Sequence, residues 1–128
     1  MRRDRTSALL VLAACAALGL PTPARAHAVL VDSSPRDGAV LDAAPAEATL
    51  RFNSRIEKRL TRASLEDTAG HAVPVARIDR GGEPPEQLTF RLPALAAGTY
   101  RLTFRVLAVD GHATPGLLRF TVRPAGKP

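Results

Sequence analysis

The chain has 128 residues, with 18 Lys and Arg against 12 Asp and Glu, and it holds four Phe, one Tyr, no Trp, one Cys and one Met. This length accommodates one domain with a modest core and is too short for two independent ones. Cys15 and Met1 both precede His27, so from His27 onward a disulfide, a thiol nucleophile and a soft sulfur ligand are all excluded.

The chain opens with a basic segment, Met1 to Arg5 (MRRDR), followed by an unbroken apolar run of 13 residues from Ala8 to Leu20 and by Ala24-Arg25-Ala26. This pattern predicts a secretory signal peptide over residues 1–26, cleaved after Ala26. A membrane helix needs about 18 or more apolar residues, so the exported domain, residues 27–128, is expected to be soluble. Leu12 to Cys15 (LAAC) also fits a lipoprotein signal, in which a lipidated Cys15 would begin the mature chain. The continuation of the apolar run past Cys15 and the small-x-small triplet favour the later site. Removing four Arg and one Asp leaves 14 basic against 11 acidic residues, a net charge of +3. Only Arg55 to Arg62 (RIEKRLTR) forms a basic cluster, and without interleaved aromatics it reads as a solvated face rather than a nucleic-acid site.

Short β-type runs then recur between segments rich in Pro, Gly, Asp and Ser. Strands are predicted at 28–31, 48–52, 63–66, 73–78, 87–92, 99–109 and 116–122, giving an all-β sandwich or small Greek-key barrel of about seven strands. Ile56 to Leu60 is the only helical candidate and is too short to stand alone. In the longest run Tyr100, Leu102, Phe104, Val106 and Ala108 share one face and Arg101, Thr103 and Arg105 the other, so the even face belongs to the core. If the strand stays extended, Asp110 and His112 continue that face at the rim.

An amino-terminal histidine offers its α-amine and ring Nδ1 to one metal as a six-membered chelate, and metal displaces their protons near neutral pH. One further imidazole and one carboxylate complete four nitrogen and oxygen donors, a set suited to tetragonal Cu(II) and poor for Cu(I). His27, Asp110 and His112 are the residues that can supply it.

The segments HAVLVDSSPRDGAVLDAAP, LRF, LPALAAGTYRLTFRVLAVDGH and LRFTV together resemble the CopC family of periplasmic copper-resistance proteins across the mature chain. The resemblance implies a cupredoxin-like, Ig-like Greek-key β-barrel in the periplasm. It also implies one Cu(II) per chain, held by His27, Asp110 and His112, and a CopD-type inner-membrane importer as partner. Two departures limit it. The hairpin EDTAGHAVPV has His71 but no Met, so a methionine-based Cu(I) site is not expected and His71 is read as an exposed turn residue. Asn53 and Ser54 follow Phe52, where some relatives place a Glu.

Two other readings use the same residues. One is a copper monooxygenase-like enzyme, disfavoured because the few aromatics fall on core faces and Asp110 would fill a position that oxygen needs. The other is an Ig-like structural module with incidental histidines. No Ser-His-Asp or Cys-His arrangement stands out, so a non-enzymatic role is expected.

Overall fold

The computed structural model describes residues 27–125. The expected signal peptide and the Cys15 alternative lie outside the described residues. Among the described residues nine strands form: β1 Leu30–Ser34, β2 Ala39–Leu41, β3 Glu47–Phe52, β4 Arg62–Asp67, β5 Ala72–Val73, β6 Ala76–Ile78, β7 Gln87–Arg91, β8 Gly98–Leu107 and β9 Ala113–Val122. They build a four-stranded sheet in the order β1-β3-β7-β6 and a five-stranded sheet in the order β2-β9-β8-β4-β5. The helical candidate is a 3-10 turn, Lys58–Leu60.

Alternation dictates the core. Tyr100, Leu102, Phe104 and Val106 of β8 are buried, as are Leu118, Phe120 and Val122 of β9, Ala48, Leu50 and Phe52 of β3, and Leu88 and Phe90 of β7. These side chains from both sheets form one apolar cluster that also takes in Ala28, Ile56 and Ala108. Each fully buried large apolar side chain contributes about 1.5–3 kcal/mol, so the cluster is the main source of stability.

The strand count differs from expectation at two places. The predicted run 73–78 is broken at Pro74, and its halves join different sheets: β5 pairs with β4, while β6 pairs with β7. Proline has no N–H to donate, so a continuous ladder through this point is disfavoured. β2 was not expected, because only three residues pair, parallel to β9. Its entry is fixed by Gly38, at φ 79°, whose N–H donates to the Arg119 carbonyl at 2.7 Å, while Arg119 N–H donates to Asp37 Oδ1 at 2.8 Å.

Candidate metal centre

The long β8–β9 ladder closes with Leu107 opposite Ala113, so β8 ends before the expected Val109. Asp110 and His112 therefore do not continue an extended face; they sit in a turn. The Ala108 N–H donates to the His112 carbonyl at 2.9 Å, the Gly111 N–H donates to the Ala108 carbonyl at 2.9 Å, and Gly111 takes φ 89°. Asp110 Oδ1 accepts the His112 N–H at 3.0 Å, a local bond that Asp readily makes in turns. The two side chains stay together through this turn rather than through strand periodicity.

His27 reaches the same place from the other end of the chain. Ala28 is fully buried, which pins the backbone beside His27, and the next residue is tied to the end of β3. Asn53 N–H donates to the Val29 carbonyl at 2.9 Å, and Val29 N–H donates to Asn53 Oδ1 at 2.8 Å. The His27 and His112 rings then meet edge to face, with centroids 4.7 Å apart.

One ligand atom from each of His27, Asp110 and His112 lies within 4.8 Å of the others. Among the described residues this is the one group of three or more His, Cys, Asp or Glu side chains so arranged. His112 Nδ1 lies 3.2 Å from Asp110 Oδ2, yet it is buried and makes no hydrogen bond of acceptable geometry. A buried nitrogen left without a hydrogen bond costs stability unless something else takes its lone pair, which is what a metal would do. The Asp110 carboxyl is held below the usual range, chiefly by the backbone N–H of His112, against the opposing effect of burial, with the His112 and His27 rings lowering it further. The carboxylate is thus kept in the ionised form that ligation needs.

His71 stands apart, exposed on the β4–β5 hairpin. Its N–H and that of Ala69 both donate to Asp67 Oδ1 at 2.9 Å, and its Nδ1 lies 3.1 Å from Asp67 Oδ2. All five aromatic residues of the Phe and Tyr type are buried, at 6% exposure or less. The contribution of Asn53 was not legible as more than a missing carboxylate, because its use depends on which backbone group β3 meets as it turns away.

The fold and the trio define a small two-sheet β protein with a metal-type donor cluster at one end. The CopC domain family matches residues 30–123, and the chain belongs to that family. It is 31% identical to copper resistance protein C of Pseudomonas syringae pv. tomato, over 96% of this chain and 100% of that protein. It is 27% identical to the copper transport protein CutJ of Bacillus subtilis, over 98% of this chain but only 23% of CutJ, so it spans about a quarter of that relative. Among solved structures, CopC from Methylosinus trichosporium OB3b matches with a TM-score of 0.73 and 35% identity, over 80% of this chain and 99% of that one. PcoC, a methionine rich copper resistance protein from Escherichia coli, matches with a TM-score of 0.65 and 30% identity, over 77% of this chain and 100% of that one. In contrast to a methionine-rich protein, this chain has Met only at position 1.

Proposed function

We propose that the chain is an exported copper-resistance protein that binds one Cu(II), with His27, Asp110 and His112 as side-chain ligands and the α-amine of His27 as the fourth donor. Cleavage after Ala26 creates that amine, which is why a histidine follows the cleavage triplet. The observation that carries the reading is the convergence of the three donor atoms within 4.8 Å of one another, from two distant parts of the chain. The copper-related names of its relatives supply the metal.

Four filled positions favour holding copper over activating a substrate, since catalytic metals keep a position open. The burial of every Phe and Tyr side chain, which leaves no aromatic platform for a polymeric substrate among the described residues, favours the same conclusion. Copper is the cargo here, stored in the periplasm or passed to a CopD-type importer in the inner membrane. The intact mass of the exported protein, taken natively with and without one equivalent of Cu(II), tests this. A mass beginning at His27 that gains one copper, and loses that gain in His112→Ala, supports it. A chain beginning at Cys15, or an apo mass unchanged by copper, overturns it.

A further inference from the structure

Asn53 stands where three segments of the metal centre meet. The β1–β3 ladder pairs Leu30 with Phe52, after an irregularity between Leu30 and Asp32, and β3 ends there. One residue on, the chain bends away, and ordinary strand pairing can no longer serve both polar groups of Val29. Asn53 serves both by using two different parts of itself: its backbone N–H donates to the Val29 carbonyl and its side-chain Oδ1 accepts the Val29 N–H. The same segment then braces the opposite half of the site. Arg55 offers its carbonyl to the Val109 N–H at 3.4 Å, Ile56 bridges to Ala108, and the Glu57 N–H donates to the Leu107 carbonyl at 2.8 Å. Residues 53–57 are therefore a crossbeam joining the segment that carries His27, just before β1, to the turn that carries Asp110 and His112.

From this geometry we propose that Asn53 is a positioning residue of the metal centre: its side-chain amide oxygen fixes Val29 and so presents His27 to Asp110 and His112. The proposal rests on the reading of those three residues as copper ligands. Asn53 acts through backbone order and not as a ligand. Losing the side-chain acceptor leaves the Val29 N–H to water and removes one of the two restraints on His27, the other being buried Ala28, so further ordering of His27 becomes part of the cost of binding metal. One neutral hydrogen bond corresponds to about a two- to tenfold change in affinity.

The test uses the exported protein, its Asn53→Ala and Asn53→Asp variants, and each with His27→Ala. In metal-free protein, amide exchange at Val29 is expected to be slow in wild type, faster in Asn53→Ala and slow again in Asn53→Asp, which keeps the acceptor. In a chelator competition, Asn53→Ala is expected to bind Cu(II) about two- to tenfold more weakly, with an unchanged visible absorption band because the ligands are the same. His27→Ala removes the ring but leaves the α-amine of residue 27, so in that background the Asn53→Ala change should cost less than in wild type. Unchanged Val29 exchange in Asn53→Ala overturns the proposal, as does an affinity loss as large without the His27 ring as with it. Wild-type protein that takes up no copper would defeat the copper reading instead, and Val29 exchange would still decide whether Asn53 orders the segment.

Discussion

The His27 and His112 rings meet edge to face, their planes at 89° and their centroids 4.7 Å apart, although one precedes the first strand and the other precedes the last. Two donors already in contact need little reorganisation to share an ion. Removing either should be severe: His112→Ala is expected to weaken Cu(II) binding by more than about 100-fold, beyond the 10- to 100-fold typical of losing an outer-shell partner. A chelator competition on the exported protein measures it. Adding one residue before His27 should be comparably harmful, because it displaces the amine.

Asp110 has two roles that substitutions can separate. Its Oδ1 shapes the turn by accepting the His112 N–H, and in the proposed site its charge would serve the metal. Asp110→Asn keeps an acceptor and removes the charge, whereas Asp110→Ala removes both. The expected order of Cu(II) affinity is wild type, then Asp110→Asn, then Asp110→Ala, with every Asp110 variant above His112→Ala because all the nitrogen donors survive. The same competition assay ranks them.

Gly111 lies between Asp110 and His112 at φ 89°, with open space where a Cβ would stand, so conformation alone sets the effect of substitution. A non-glycine residue there costs about 1–2 kcal/mol. For a domain of this size each 1 kcal/mol lowers Tm by about 4–8 °C. Gly111→Val should show at least that loss, together with weaker copper binding, and Gly111→Asn should show less of both, since Asn tolerates this region. Thermal unfolding of the metal-free protein separates the stability effect from the ligand effect.

Much of the core was legible because β8 obeys a strict period of two: Tyr100, Leu102, Phe104, Val106 and Ala108 are all buried as the alternation implied. That His27, Asp110 and His112 cluster was legible as residue types, since a histidine at the expected cleavage point and an Asp-Gly-His carry their own chemistry. The geometry that joins them was not. Extending the strand pattern through Asp110 overlooked Gly111, whose positive φ turns the chain, and the local bond from His112 N–H to Asp110 restored the proximity by another route. β2 was illegible because three residues paired in parallel leave almost no periodic signal, and its position depends on the tertiary contacts of Asp37 and Gly38 with Arg119. Thr89 was also missed: a polar residue on the outward face of β7, it is 2% exposed because the segment bearing Glu83 covers it.

Phe104 lies across from Gly116 in the β8–β9 ladder, and a Cβ on Gly116 would fall 2.1 Å from the Phe104 ring. The ring occupies the space that the glycine leaves and also meets the Phe52 ring edge to face, centroids 5.9 Å apart. Gly116→Ala must push the ring into a filled core, which costs about 1–3 kcal/mol. Denaturant unfolding should show that loss. Gly116→Ala with Phe104→Leu should recover part of it relative to the sum of the two single changes, because the smaller side chain removes the clash.

Glu83, which is not one of the donor trio, provides a pH-dependent contribution of its own. Its side chain is 5% exposed; Lys58 Nζ donates to Oε2 at 2.8 Å and Thr89 Oγ1 donates to Oε1 at 2.5 Å. Burial pushes the carboxyl up, but the Lys58 ammonium and the Thr89 hydroxyl together outweigh it and hold it below its ordinary value of 4.5. A carboxyl depressed in the folded state stabilises the fold fully above its unfolded pKa, and that contribution disappears as pH falls through the folded pKa. Glu83→Gln should therefore cost about 1–3 kcal/mol at pH 7, as expected for losing a hydrogen bond to a charged partner while Thr89 keeps its acceptor. Below pH 4.5 the difference between wild type and variant should shrink toward zero as wild-type Glu83 takes up its proton. Urea unfolding of both proteins across this range measures the gap. A gap that stayed constant with pH would mean that the charge on Glu83 adds nothing beyond its shape.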